Sequence, residues 1–153
     1  MKVYLFDIDG TLADLTHRLH HISGEYDNQG MEKPKNWDAF FAACSDDKPI
    51  KHVVELAKMI VDADKTIVYV SGRSDSVRGQ TLMWLAGHVG SVGPLYMRKH
   101  GDHRPDNIVK SEILDQIILD GYEPVMVFED RDQVVKMWRE RGITCLQVAE
   151  GSF

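Results

Sequence analysis

Cysteine is scarce in this chain. Only Cys44 and Cys145 occur in 153 residues, far apart and at no metal-ligand spacing. That excludes a disulfide framework and a thiolate metal centre, and points to two reduced, buried thiols of a cytoplasmic protein. Excess positive charge is also missing. Lys and Arg number 18 against 24 Asp and Glu, a net charge of -6, so no surface for tracking along duplex DNA is expected. An acidic chain still accommodates a single phosphate or a strand end where its positive charge is concentrated at one place. No apolar run is long enough to span a bilayer. No basic segment followed by an apolar one precedes the first strand, so no signal peptide is expected. There is no GxxxxGK[ST] segment, internal repeat or low-complexity tract, and a P-loop nucleotide site is thereby removed.

What is present is the length and patterning of one domain. Lys2–Phe6 (KVYLF) is a nearly continuous apolar run of β-formers, the mark of a strand buried on both faces. Further strands are expected at Thr66–Val70, Pro94–Met97, Val125–Phe128 and Thr144–Val148. Helical spacing marks His52–Val61, Ser76–Ala86, Asp106–Leu119 and Gln133–Arg141. Residues 14–50 form a polar insert after the first strand, with a helix expected at Trp37–Cys44 behind an Asn36 N-cap. Strands alternating with helices predict an α/β fold, a Rossmann-like parallel sheet with helices on both faces. Ligands bind such sheets outside the carboxyl ends of the strands. Three of the five strands end there in chemically loaded residues: Asp7-Ile8-Asp9, Ser71-Gly72-Arg73 and Glu129-Asp130.

These residues suit phosphoryl transfer, which needs a nucleophile, an acid for the leaving oxygen and positive charge for the phosphoryl oxygens. Asp7 ends the first strand, and Asp9 reaches the same pocket if the chain turns at Gly10. Carboxylates gathered together repel one another unless a divalent cation neutralises them, and oxygen-only ligands favour Mg²⁺. Asp130 is the natural ligand from a second strand. Ser71 offers a hydrogen bond to a phosphoryl oxygen, and Lys110 offers charge.

FDIDGTLAD, VYVSGR, the lysine of DNIVKSEIL and FEDRDQVVKMW occur in the order of the four motifs of the haloacid dehalogenase-like phosphohydrolases. The chain resembles that family over nearly its whole length outside the insert. The resemblance implies an Mg²⁺-dependent phosphatase with Asp7 as nucleophile, forming an aspartyl-phosphate, and Asp9 as general acid/base. It implies a metal site from the Asp7 carboxylate, the Asp9 main-chain carbonyl and Asp130, with Glu129 beside them. Thr11, Ser71 and Gly72 fall on positions that shape the loops and bind phosphate. A narrower likeness, in GDHRPDN before VKSEIL and in EDRDQVVKMWRERGITCLQVAEGSF, is to the 3′-phosphatase half of bacteriophage polynucleotide kinase-phosphatases. It adds Arg18, Arg73 and Asp106 to the phosphate site and implies the 3′ end of a nucleic acid as substrate. The kinase half is absent from this sequence. The insert is longer than that family usually has, and its acidic pair is Asp-Asp where this chain has Glu129-Asp130.

Other readings compete. A longer insert acting as a cap favours a mononucleotide or another small phosphorylated metabolite. A phospho-accepting signalling domain also clusters carboxylates, but keeps a lysine near its last strand and lacks an acid two residues after the nucleophile. Lys99 and Arg98 rival Lys110. His17, His20 and His21 suggest zinc, yet no further ligand follows at zinc spacing. His100 and His103 border the region of the site. Trp37, Phe40, Phe41 and Cys44 at i, i+3, i+4, i+7 fit packing onto the domain better than a base-stacking platform.

Overall fold

The computed structural model describes residues 1–153. The first strand, β1 (Lys2–Phe6), enters the middle of a sheet. A two-residue strand, β2 (Ala13–Asp14), follows, and then a segment holding a 3-10 turn at Thr16–His21, helix α1 (Trp37–Ala42) and a second 3-10 turn at Ala43–Asp46. β3 (Lys48–Pro49) closes that segment by pairing antiparallel with β2. Helix α2 (Lys51–Asp62), strand β4 (Thr66–Ser74), helix α3 (Arg78–His88), strand β5 (Leu95–Arg98) and helix α4 (Asp106–Leu119) follow. Strand β6 (Glu123–Glu129), helix α5 (Asp132–Glu140) and strand β7 (Cys145–Gln147) complete the chain. The sheet order is β5-β4-β1-β6-β7, every pairing parallel. From β1 the chain moves to β4 and β5, then returns to β6 and β7 on the other flank. The crevice where that direction reverses lies at the carboxyl ends of β1 and β6.

Alternation along the strands divides the core in two. Val3, Leu5, Val68, Val70 and Val127 face α4 and α5, meeting Leu114, Ile117, Val134 and Trp138. Phe6, Ile67, Tyr69 and Phe128 face the other way, toward Val53, Ala57, Trp84 and Leu85 of α2 and α3. Phe6 and Phe128 stack across the central pair at 4.4 Å. Both cysteines are free and buried, and no helix is long and apolar enough to cross a membrane.

Two departures from the sequence pattern matter. The helix expected at Trp37–Cys44 is α-helical only to Ala42 before tightening into the 3-10 turn, although Asn36 caps it as expected, its Oδ1 accepting from Ala39 N at 3.0 Å. The strand expected to end at Val70 instead runs on to Ser74. Its register against β5 slips between Ser71 and Ser74, so Gly72 and Arg73 form a bulge. Bulges re-aim side chains, and this one turns Arg73 inward, where it is fully buried.

Trp138 has no exposed surface, and its Nε1 is the one buried side-chain polar atom without a hydrogen-bond partner. Trp138→Ala should cost about 3–5 kcal/mol through lost burial and the cavity left behind. Trp138→Phe should cost within about 1 kcal/mol, because it also removes an unsatisfied donor whose burial costs on the order of 1–3 kcal/mol. Urea midpoints of the two variants check this, and comparable losses would contradict it.

Candidate active site

Asp7 follows β1 directly, its backbone N–H donating to the Phe128 carbonyl at 3.0 Å, and its side chain is buried. Lys110 Nζ on α4 donates to Asp7 Oδ1 at 2.7 Å and to Glu129 Oε2 at 2.9 Å, and lies 3.5 Å from Asp106 Oδ2. Thr11 Oγ1 donates to Asp7 Oδ2 at 2.9 Å, with Asp130 Oδ1 a longer alternative at 3.4 Å. The chain turns at Gly10 with φ of +81°, and a Cβ there would sit 2.1 Å from Asp130 Oδ2. Glycine is therefore required both for the left-handed turn and for the close approach of the second acid.

Asp7, Glu129 and Asp130 bring carboxylate oxygens within 4.8 Å of one another. Burial raises the Asp7 pKa well above the carboxylate range, and the Glu129 charge adds to this against the opposing pull of Lys110. Asp130 is pushed up to about 6 by burial and the same neighbour. For Lys110, burial favours the neutral amine, but Asp106, Asp7 and Glu129 outweigh it and raise its pKa. One ammonium against so many buried acids leaves negative charge uncompensated. Hard oxygen donors in this arrangement fit Mg²⁺. The Asp9 carbonyl also fits, since it accepts no hydrogen bond from the protein.

The Asp9 side chain turns away from this cluster. Its Oδ1 accepts from Arg18 Nη2 at 2.7 Å and from Arg73 Nε and Nη2 at 2.9 and 2.7 Å, while Oδ2 has no partner. Burial works against its ionisation, yet Arg73 and then Arg18 overcome that and hold the carboxyl below its ordinary range. Both arginines also bind Asp47, and Arg73 Nη1 donates to Thr81 Oγ1 at 3.0 Å. Arg18 and Arg73, expected from sequence among the phosphate-binding groups, therefore need correction. Each is fully buried behind Asp9 with its guanidinium committed to carboxylates, so neither forms the wall of the cleft. Asp9 in turn offers a metal only its carbonyl.

Ser71 is buried, its Oγ accepting from Arg73 N at 3.1 Å and its hydroxyl hydrogen lacking a protein acceptor. Gly72 lines the cleft, and a Cβ there would lie 2.2 Å from Asp106 Oδ1. The Asp106 carboxylate accepts from Arg98 Nη2 at 3.2 Å and lies 3.5 Å from Lys110 Nζ, so it orients those two cations beside the cleft. Sequence reasoning missed two residues. Arg98, weighed only as a rival to Lys110, ties Gly72 and the loop at Asp102 and Arg104 together by donating to their carbonyls. Asp47 stands in an acidic pair that looks like solvated surface, and no local pattern marks it. His17 pairs with Asp47 Oδ1 at 2.7 Å, and His20 Nδ1 lies 3.1 Å from the His17 carbonyl.

The cleft over these groups measures about 1010 Å³. Its lining includes the apolar side chains of Leu15, Leu19, Ile22, Trp37 and Phe41 and, among the basic ones, Arg98, Lys99, His100 and Arg131. Trp37 keeps 39% of its surface exposed and stacks with Phe41 at 5.9 Å.

Residues 1–153 match the family described as the polynucleotide kinase PNKP phosphatase domain. A protein named as a candidate bifunctional polynucleotide kinase/RNA ligase, from Autographa californica nuclear polyhedrosis virus, is 27% identical over 141 residues. These are 91% of this chain and 18% of the viral one. A chain in the Pnkp1/Rnl/Hen1 RNA repair complex superposes with a TM-score of 0.78 at 30% identity, covering 99% of this chain and 43% of that one. The class C acid phosphatase from Bacillus anthracis shares the fold alone, at 12% identity and a TM-score of 0.69, over 100% of this chain and 68% of its own. This chain thus spans less than half the length of the first two. A family match running from the first residue to the last leaves no part of the sequence to a different origin: the chain belongs to the PNKP phosphatase domains, and it is a haloacid dehalogenase-like phosphatase.

Proposed function

We propose that this phosphatase is an Mg²⁺-dependent phosphomonoesterase that works through an aspartyl-phosphate on Asp7 and removes 3′-phosphates from nucleic-acid ends. The observation that carries the reading is the pairing of two differently held carboxylates at one crevice. Asp7 has its oxygens fixed by Lys110 and Thr11, while Asp9 has one oxygen fixed by arginines and the other free. Asp7 attacks phosphorus, the bond to the substrate oxygen breaks, and that oxygen takes a proton from Asp9, whose free Oδ2 has received it from the monoanionic phosphate ester. Water then attacks the acyl phosphate, loses a proton to Asp9, and inorganic phosphate leaves Asp7 regenerated. Lys110 offsets charge on the nucleophile, and the Ser71 hydroxyl is available to a phosphoryl oxygen. Mg²⁺ held by Asp7, Asp130 and the Asp9 carbonyl, with Glu129 beside them, would supply positive charge to the phosphoryl oxygens.

The nucleic-acid substrate is supported by the family's description and by the RNA repair complex among the similar structures. Residues 14–50 then act as a small cap, whose apolar side chains meet sugar and base while the basic side chains of the cleft meet phosphates. The competing substrate is a mononucleotide or small phosphorylated metabolite, favoured by the way this insert walls the cleft.

Asp7→Asn should lower turnover by about 10⁴-fold or more with the fold intact, since an amide forms no acyl phosphate. Phosphate release by the folded variant, with deamidation excluded by mass spectrometry, checks this. Retained activity would end the covalent mechanism.

EDTA should abolish activity and Mg²⁺ restore it, with no zinc required. Metal analysis of active protein that found stoichiometric zinc would refute this.

A 3′-phosphorylated oligonucleotide should show a higher kcat/KM than the 5′-phosphorylated oligonucleotide and than 3′- and 5′-mononucleotides. Preference for a mononucleotide over both oligonucleotides would replace the nucleic-acid end with the smaller substrate.

A further inference from the structure

Asp47 lies outside every sequence motif, at the end of the insert beside β3, yet its side chain is completely buried. Its Oδ1 accepts from Arg18 Nε at 2.8 Å and pairs with His17 Nε2 at 2.7 Å. Its Oδ2 accepts from Arg18 Nη2 at 2.8 Å and Arg73 Nη2 at 2.9 Å. Its carbonyl accepts from Trp84 Nε1 of α3 at 2.8 Å, and its own N–H donates to the Cys44 carbonyl at 3.2 Å. The residue is therefore anchored to the core on one side and gathers two guanidiniums on the other. Those guanidiniums converge on one oxygen of Asp9, which alone of Asp9, Asp47, Arg18 and Arg73 has exposed side-chain surface, at 23%.

Two carboxylates and two guanidiniums sum to zero charge, so the group is buried without a net ion. The rigid planar fork of each arginine fixes direction as well as charge. Without the Asp47 carboxylate, Arg18 would keep Asp9 and a long contact of 3.4 Å to the Phe40 carbonyl, and Arg73 would keep Asp9 and Thr81. Arg18 would also keep its place over the Phe40 ring, but the two forks would share no acceptor other than Asp9 Oδ1, and the Nε of Arg18 would lose its partner. The structure assigns Asp47 as the positioning residue of the general acid: it clamps both arginines so that Asp9 Oδ1 is fixed and Oδ2 is presented to the leaving oxygen. The assignment rests on the aspartyl-phosphate reading above.

The chemistry supplies a signature that loss of stability alone does not. When Asp7 takes the phosphoryl group, the leaving oxygen keeps the electron pair of the broken bond. An alkyl oxygen needs the Asp9 proton at that moment, whereas p-nitrophenolate departs without it. The value of kcat/KM reports steps up to that departure, so misaiming Asp9 should be felt on alkyl esters only.

The test compares Asp47→Asn and His17→Ala with the unmodified chain in Mg²⁺. The substrates are p-nitrophenyl phosphate and the best alkyl ester among the oligonucleotides and mononucleotides. Asp47→Asn should lose about 10²-fold in kcat/KM on the alkyl ester and less than about 3-fold on the aryl ester, the asymmetry of Asp9→Asn. His17→Ala removes only the outer contact of Asp47, from a side chain 40% exposed. It should fold normally and lose about 3–10-fold on the alkyl ester alone, and it decides the matter if Asp47→Asn does not fold. Equal loss on both esters, or no loss on either, overturns the assignment. Turnover retained by Asp7→Asn would instead overturn the aspartyl-phosphate reading beneath it.

Discussion

The ion pairs made by Lys110 are the constraint on which the rest of the site depends. Its ammonium contacts acids from three parts of the chain: Asp7 after β1, Glu129 at the end of β6, and Asp106 on its own helix. Removing one partner from a buried pair typically costs about 3–5 kcal/mol, because the survivor is left charged without solvent. The sheet can therefore bring β1 and β6 together at their carboxyl ends only because α4 delivers this one cation. The helix does so from a position fixed by Val109, Leu114 and Ile117 in the core. Packing of the apolar face and placement of the charge are one event.

The arginine pair behind Asp9 solves a different problem. The Asp7 cluster carries excess negative charge and so has room for a metal, whereas the Asp9 cluster is neutral and closed on itself. Two aspartates separated by one residue thus occupy opposite electrostatic environments. The intervening Ile8 is wholly buried, and both neighbours line the one cleft while their side chains meet different partners, Lys110 for Asp7 and the two arginines for Asp9. That separation is what the proposed division of labour, a nucleophile at Asp7 and a proton carrier at Asp9, would draw on.

Much of this was legible in the sequence. Buried strands announce themselves by continuous apolar runs, and three of them ended in the residues that the sheet brings together. Asp7, Asp9, Lys110 and Asp130 could be grouped in advance because strand ends and a helix start fix where they lie, and the structure brings all four to one cleft. Arg18 and Arg73 were recognised as site residues but given the wrong partner. Sequence spacing shows that a guanidinium is near, not which acid it will meet. Arg73 meets Asp9 only because the strand bulges at Gly72, and no propensity signals a register slip. Asp47 was invisible for a related reason: its burial is created by Arg18, His17 and Trp84, which are distant in sequence.

The ribbon of β2 and β3 sets which parts of the insert are free to diverge. Because Ala13 sits opposite Pro49 and Asp14 opposite Lys48, the chain leaves and rejoins the sheet at a single neck. For a flexible loop closed at such a neck, doubling its length costs only about 0.6 kcal/mol of closure entropy. The flanks of the insert, with Arg18 near one end and Asp47 at the other, are tied to the reaction centre. The exposed stretch between them, residues 23–36, carries no such tie. That stretch can therefore be lengthened, shortened or replaced at little entropic cost, changing what the cleft admits, while the contacts of Arg18 and Asp47 with Asp9 and Arg73 stay in place.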